Sequence, residues 1–215
     1  SWPQSTKIRR IRSRSCGPRF RGTLALCALA LCPAAFSRRP VSTVGMATAY
    51  VTLSDGHRMP ALGLGVFKAD PGQSTYNAVL CALRGGYRHI DTAAYYRNEA
   101  DVGRAIRDCG VPRSDIFVTT KLESMGGRSY TYAATLQALQ ESLQRLGLEY
   151  VDMYLIHSPN DRRHRLEQWQ ALEKAKGMGL ARSIGVSNYG VHHLQELERS
   201  AQILPATNQI ELHPW

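Results

Sequence analysis

The sequence lacks several features that would assign a protein to a class at once. It has only five cysteines in 215 residues, with neither metal-type spacing nor a framework of pairs, so a disulfide scaffold and a cysteine-bound zinc site are excluded. The apolar run at 24–32 is too short to span a membrane. We therefore predict a protein of a reducing compartment, with no bound metal and no membrane partner.

Two patterns of dinucleotide-binding proteins are also missing. Gly63-Leu64-Gly65 begins like a phosphate-binding glycine motif, but Lys68 stands where the third glycine is required. Two glycines in a tight strand-to-loop turn explain this stretch better. In addition, no tyrosine is followed four residues later by lysine, the pair found in short-chain dehydrogenases. The sequence therefore does not predict a dinucleotide site of the doubly wound type.

Acidic residues are absent from the first 50 residues, which hold nine of the 27 lysines and arginines. The rest of the chain has 18 basic and 17 acidic residues, so the net charge of +10 lies almost wholly in this segment and does not indicate nucleic-acid binding. We predict that residues 1–45 are a basic leader: a transit or signal peptide, or translated leader RNA before a start at Met46. The protein is predicted to be cytoplasmic, or plastid or mitochondrial if the leader is a transit peptide.

Short β-rich runs recur at about 30-residue intervals along the rest of the chain, the length of one βα unit. The six predicted strands cover 61–66, 87–92, 116–122, 150–157, 181–187 and 206–212. Helical periodicity predicts helices at 77–83, 102–107, 132–146, 166–175 and 191–197. Ahead of these units, an Asp55-Gly56 turn within 51–59 predicts a β-hairpin that could close the bottom of a barrel.

Chemically active residues follow the ends of successive predicted strands. They are Asp91, Lys121, His157, Ser187, Asn188 and His213. A doubly wound sheet would gather such residues at one switch point, whereas a (β/α)8 barrel collects them from the carboxyl ends of many strands. We therefore predict that 46–215 form an α/β domain, a (β/α)8 TIM barrel truncated after strand six.

These residue types fit the reduction of an aldehyde or ketone. Hydride transfer leaves an alkoxide, and a tyrosine can protonate it if the tyrosine pKa, ordinarily about 10, is brought down. Lys121 is predicted to lower that pKa by stabilising the phenolate, while Asp91 holds the ammonium in place. His157 is predicted to orient the carbonyl oxygen. A helix cap, a solvated lysine or a structural histidine would explain each residue singly, but their combination on one face favours catalysis.

The chain resembles the aldo-keto reductases. The segments that carry the resemblance are 86–99, 116–122, 151–159, 183–189 and 208–214. In that family the proton donor lies five residues after the aspartate, which implies Tyr96 rather than its neighbour Tyr95. The resemblance further implies that Lys121 and Asp91 tune this tyrosine and that His157 orients the substrate.

The same resemblance implies a nicotinamide dinucleotide, NADPH with NADH as a possibility, extended across the mouth of the barrel. Ser187, Asn188 and Gln209 match the positions that hold its carboxamide, and Asp91 lies beside the nicotinamide ribose. From the residues alone, Ser187-Asn188 is also expected to cap a helix at 189–200.

The substrate pocket departs from the family pattern. Phe67 matches a substrate-binding position where relatives often have tryptophan, and Glu123 and Ser158 stand where aromatic residues are common in mammalian members. We therefore predict a more open and polar pocket for a small-molecule carbonyl substrate.

The end of the chain also departs from the family pattern. The chain ends at Trp215 on predicted strand six, so strands seven and eight and the segment that grips the adenosine 2′-phosphate are expected to be missing. When complete, the protein is predicted to be a monomer. Three interpretations stay open: a carbonyl reductase, a nicotinamide-binding regulatory subunit of the same fold, and an inactive truncated fragment.

Overall fold

The computed structural model describes residues 49–124 and 128–214. The predicted leader at 1–45 lies outside the described residues, as does Trp215. Within the described ranges, no helix combines the length and the apolar character needed to cross a membrane.

The described strands form two sheets. An antiparallel pair consists of β1 (Tyr50–Thr52) and β2 (Arg58–Pro60). The parallel sheet contains β3 (Leu64–Gly65), β4 (His89–Asp91), β5 (Phe117–Leu122), β6 (Val151–Ile156), β7 (Ala181–Ser187) and β8 (Asn208–Gln209). Each of its strands pairs with the next one along the chain. This sequential order is that of a (β/α)8 barrel, because a doubly wound sheet reverses its order at a switch point.

Helices follow the strands as predicted. They are α1 (Gln73–Arg84), α2 (Glu99–Asp108), α3 (Tyr132–Leu146), α4 (Arg165–Gly177) and α5 (Val191–Glu198). The bounds of α3 coincide with the prediction because Thr131 caps its first turn and Gly147, with φ at 65°, ends it. Short 3₁₀ turns at Ala94–Tyr96 and Arg113–Asp115 complete the described elements.

Strands β5, β6 and β7 match the prediction within a residue at each end, whereas three other strands are shorter than predicted. Strands β3 and β8 lie at the edges of the described sheet and have one neighbour each. Beyond two residues their pairing continues as single backbone bonds, such as that from the Val66 N–H to the Asp91 carbonyl. Strand β4 begins late because Gly86, with φ at 102°, turns the chain out of α1. The N–H of Tyr87 then bonds to the carbonyl of Ala82 rather than to a neighbouring strand.

Alternate residues of the central strands pack on opposite faces of the sheet. Val118, Tyr154 and Ile156 belong to the large core between the sheet and the helices. Phe117, Met153 and Leu155, their neighbours in sequence, form a second cluster with Leu53 of the hairpin segment. The period-2 alternation of buried side chains therefore fills both the outside and the inside of the curved sheet.

The predicted hairpin is confirmed. Tyr50 pairs with Pro60 and Thr52 with Arg58 in the antiparallel register. Leu53 packs inside the sheet, and Asp55 accepts a 2.6 Å hydrogen bond from Lys176 at the end of α4. Although burial alone would raise the pKa of Asp55, hydrogen bonds from Lys176 and from the backbone N–H of His57 help to lower it to about 2. The hairpin thus closes the amino-terminal end of the strands.

Two helical glycines provide a test of this packing. A Cβ atom on Gly103 of α2 would lie 1.9 Å from the carbonyl oxygen of Leu146, whereas a Cβ on Gly177 of α4 would meet nothing within 4 Å. We expect Gly103→Ala to lower the free energy of unfolding by about 3 kcal/mol, because the clash is with backbone that cannot move aside. Gly177→Ala should leave it unchanged or raise it by about 0.5–1 kcal/mol.

Urea unfolding of the two variants beside the unmodified chain measures both effects. Equal free energies of unfolding for Gly103→Ala and Gly177→Ala would contradict the prediction, because they would show that α2 and α3 can move apart at little cost.

Candidate active site

Lys121 lies at the centre of the carboxyl end of the sheet. It is the fifth residue of β5, and its side chain has no exposed surface. Its Nζ donates hydrogen bonds to Asp91 Oδ1 at 2.5 Å, to the Thr92 carbonyl at 3.0 Å and to Tyr96 Oη at 3.4 Å. Three acceptors match the three N–H groups of an ammonium, so this buried cation is fully partnered.

Tyr96 is held close to Lys121 by the loop that follows β4. The chain leaves β4 at Asp91, forms the 3₁₀ turn Ala94–Tyr96 and reverses at Arg97, whose φ is 58°. The Tyr96 ring centroid lies 5.0 Å from that of Phe67 and 5.6 Å from that of His157. Phe67 itself is half exposed at the mouth of the barrel.

The pKa of Tyr96 differs from the sequence-based expectation. We expected Lys121 to lower it, but burial raises the pKa of this hydroxyl and the Asp91 carboxylate adds to the increase. Lys121 does not reverse the effect because its ammonium lies 2.5 Å from Asp91 and 3.4 Å from the phenol. Tyr96 therefore carries its proton at neutral pH, which is the form that a proton donor requires.

His157 follows the last residue of β6 and faces Tyr96. Burial, and secondly the charge of Lys121, lower its pKa to about 4. The imidazole is therefore neutral at pH 7. Its Nδ1 atom is buried and has no hydrogen-bond partner among the described residues.

Ser187, Asn188 and Gln209 join the same site from the ends of β7 and β8. Ser187 Oγ donates to the Gln209 carbonyl at 2.9 Å, and Asn188 Nδ2 donates to the His157 carbonyl at 2.9 Å. Gln209 Nε2 donates to Asp91 Oδ2 at 2.8 Å. Asn188 and Gln209 thus bond directly to His157 and Asp91, and Ser187 joins the two through the Gln209 backbone.

The contact between Gln209 and Asp91 also shows that the sheet is curled. Strands β8 and β4 are four steps apart in the sheet, which in a flat arrangement would separate them by roughly 19 Å. Their side chains nevertheless lie at hydrogen-bond distance. The strand ends therefore turn toward one another around a common axis, as in a barrel.

Comparison with known proteins agrees with this geometry. The family described as "Aldo/keto reductase family" matches residues 61–215. The chain belongs to the aldo/keto reductase family. Its fold is accordingly that of the family's (β/α)8 barrel, represented within the described residues by six parallel strands behind an antiparallel hairpin.

Individual relatives cover much of the described chain. A 9,11-endoperoxide prostaglandin H2 reductase of Trypanosoma cruzi is 50% identical over 76% of this chain, and a glyoxal reductase of Bacillus subtilis is 47% identical over 76%. A solved structure of a Bombyx mori aldo-keto reductase in complex with NADP has 40% identity and a TM-score of 0.69 over 77%. The matches cover 56% and 58% of the two curated relatives and 58% of the Bombyx chain, so this chain spans little more than half of their length.

The donors and acceptors at the ends of β7 and β8 fit a nicotinamide carboxamide. Among the described residues, Asn188 Oδ1 and Gln209 Oε1 accept no hydrogen bond, and both belong to side chains whose amide nitrogens are already anchored. A carboxamide presents an N–H donor and a carbonyl acceptor, so fixed amide groups are suitable partners for it. Asn188 has φ at 61° and is not the cap of α5 that we expected, since that helix begins at Val191 after Gly190.

Sequence reasoning missed two buried residues that support this aldo-keto reductase site. Asn98 has no exposed surface, accepts a hydrogen bond from Thr92 Oγ1 and donates to the Val66 carbonyl. Glu99 accepts from Thr120 Oγ1 at 2.6 Å and from Arg145 Nε at 2.7 Å. Together they fix both ends of the loop that presents Tyr96. The only sequence signal was an amide and a carboxylate directly after that loop.

Ser158 does not make the pocket more polar, contrary to our expectation. It is buried and paired with Ser124, whose Oγ accepts from the Ser158 N–H at 2.8 Å. Ser158 Oγ in turn donates to the Ser124 carbonyl. Glu123, by contrast, is partly exposed and faces Arg128 at 3.5 Å. The described residues contain no group of three or more His, Cys, Asp or Glu side chains placed to hold a metal ion.

The lowered pKa of His157 predicts an effect of acid on stability. The unfolded chain binds a proton on this histidine near pH 6.5, whereas the folded chain does so only near pH 4. The unfolded state therefore carries more protons between these values, and the free energy of unfolding falls as pH is lowered, by up to about 3 kcal/mol in total from this group. His157→Gln should reduce that slope.

Unfolding by urea at several pH values between 4 and 7.5 measures the slope, and the ring resonances of His157 give its pKa directly. A pKa near 6.5 for His157 in the folded chain would contradict the prediction of a neutral, buried imidazole. So would a free energy of unfolding that depends on pH equally in His157→Gln and in the unmodified chain.

Proposed function

We propose that the chain belongs to an enzyme that reduces aldehydes or ketones with a nicotinamide dinucleotide, NADPH in preference to NADH, and that Tyr96 is the proton donor. The observation that carries this proposal is the buried Lys121 ammonium bonded to both Asp91 and Tyr96. Backbone carbonyls could equally satisfy the N–H groups of a structural lysine. Here the third hydrogen bond connects the cation to a phenol at the mouth of a barrel.

The residues have distinct roles in this proposal. The reduced nicotinamide, when bound, supplies a hydride. Ser187, Asn188 and Gln209 would hold its carboxamide, and Asp91 would be the partner for its ribose. Because Asp91 also accepts from Gln209, the same carboxylate orients both the lysine and one of the carboxamide-binding side chains.

Tyr96 gives its hydroxyl proton to the alkoxide oxygen that forms on the substrate. The phenolate left behind is stabilised by Lys121, whose charge lies within hydrogen-bond reach throughout. His157 is neutral and donates from Nε2 to the carbonyl oxygen, so that the oxygen lies between the imidazole and the phenol. Phe67, 5.0 Å from the Tyr96 ring, forms an apolar wall for the substrate.

The substrate proposed is a small aldehyde or ketone. The names of the Trypanosoma and Bacillus relatives, an endoperoxide reductase and a glyoxal reductase, support reduction of oxygen-bearing small molecules rather than one substrate. The alternative is a subunit that binds the nicotinamide dinucleotide but does not turn over a substrate. Measuring turnover and NADPH binding separately distinguishes the two.

Tyr96→Phe tests the proposal, with Tyr95→Phe as the matched control. In the chain completed to the length of its relatives, we expect Tyr96→Phe to lower turnover by at least roughly a hundredfold, because the proton donor is lost while the ring remains. Tyr95 is half exposed and its centroid lies 6.3 Å from that of His157, so its hydroxyl should be dispensable. NADPH oxidation with an aromatic aldehyde measures turnover, and fluorescence titration measures NADPH binding.

Undiminished turnover in Tyr96→Phe would remove this residue from the mechanism. Tight NADPH binding without turnover in the completed chain would favour a binding subunit instead. Absence of both from the completed chain would contradict the proposal as a whole.

A further inference from the structure

A cavity of about 410 Å³ lies at the opposite end of the barrel from Lys121. Its wall comes from the β-hairpin and from the residues just before or at the start of the central strands. Among the lining residues are Tyr50, Arg58, Arg88, Asp115, Asp152 and Arg182. None of these side chains takes part in the proposed catalytic site.

The cavity carries excess positive charge. Asp152 is already engaged, since its carboxylate accepts from Arg113 at 2.8 Å, from Arg182 at 3.2 Å and from the Val118 N–H at 2.9 Å. Arg58 and Arg88 have no carboxylate partner among the described residues. The lining holds three guanidinium groups, of Arg58, Arg88 and Arg182, and two carboxylates, of Asp115 and Asp152. Arg113 lies outside the lining but bonds Asp152, so the whole group of charges has a surplus of two positive charges.

The guanidinium groups are also held in place before any ligand arrives. The Tyr150 ring lies between Arg113 and Arg182, whose central carbons are 4.3 Å and 4.1 Å from its centroid. Arg58 lies over the Tyr50 ring at 4.5 Å. Side chains that are ordered in advance lose less freedom on binding, so the arrangement favours a ligand over solvent.

Arg88 is ordered in the same way. Its Nη1 atom donates to the carbonyls of Leu83 and Tyr87, while its other nitrogens donate to no described residue. These nitrogens therefore have hydrogen bonds to offer.

We propose that this cavity binds a small molecule through a phosphate group. Planar guanidinium groups match the oxygens of phosphate in paired hydrogen bonds, and a surplus of two charges matches a phosphate or diphosphate anion. The volume is enough for a nucleoside monophosphate and places the ligand on the far side of the barrel from the carbonyl substrate. The proposal does not depend on the proposed reductase activity.

Isothermal titration with pyrophosphate and, separately, with AMP tests the site and distinguishes a free phosphate from a phosphate ester. Both titrations are run with and without saturating NADP⁺, because that dinucleotide would occupy phosphate-binding groups near the catalytic end. We expect at least one ligand to bind with a dissociation constant of about 1 mM or tighter, and to bind equally well with NADP⁺ present.

Charge-removing variants locate the binding. Arg58→Gln and Arg182→Gln should each weaken it about tenfold, because each removes one charge-assisted partner. Arg199→Gln removes an equally exposed arginine at the end of α5, away from the cavity, and should leave binding unchanged.

Thermal melting shows whether each variant is folded. If Arg182→Gln destabilises the chain because Asp152 loses a partner, Arg58→Glu also tests the site, since Arg58 lies over the Tyr50 ring and has no carboxylate partner among the described residues. No binding of either ligand, equal weakening by Arg199→Gln, or binding abolished by NADP⁺ would overturn the proposal.

Discussion

The buried ammonium of Lys121 is the interaction on which the active site depends. An unpaired charge inside a protein costs several kcal/mol, so a lysine without exposed surface must be surrounded by acceptors. All three of its acceptors, on Asp91, Thr92 and Tyr96, come from one short segment that begins at the last residue of β4. That segment can therefore satisfy the lysine only in the conformation that also brings the phenol to the mouth of the barrel.

The barrel architecture connects this cation to distant parts of the chain. Gln209 reaches Asp91 across 118 residues, and Asn188 reaches the backbone of His157 across 31. Each of these residues stands at the carboxyl end of a different strand, where curvature of the sheet brings the ends together. These hydrogen bonds join the ends of different strands, so a shift in one strand would disturb the hydrogen bonds of the next. This mutual dependence accounts for the extensive pairing of polar side chains at this end.

The sequence was most informative where one physical requirement dominated. The central strands could be predicted because burial on both faces demands continuous apolar runs, and α3 because a threonine cap and Gly147 mark its ends. Asp91, Lys121 and His157 could be placed at strand ends by the same reasoning. The lengths of the edge strands β3 and β8 could not be predicted, since they depend on how many neighbouring strands each one has.

Sequence reasoning missed properties that depend on the surroundings of a residue in the fold rather than on its type. The raised pKa of Tyr96 follows from burial and from the nearby Asp91 carboxylate, which no spacing along the chain reveals. Asn98 and Glu99 were overlooked because a polar pair after a loop usually faces water. Only the folded structure shows that both are enclosed and that their partners lie on other elements.

The sequential order of the parallel sheet has a consequence for how the chain reaches its fold. Each new strand pairs with the one synthesised just before it, so most pairing partners become available in order as the chain emerges from the ribosome. The hairpin is the exception, because Asp55 meets Lys176 across 121 residues. Closing that large loop is slow relative to local pairing, so the hairpin is made before the parallel strands but is one of the last of the described segments to find its place.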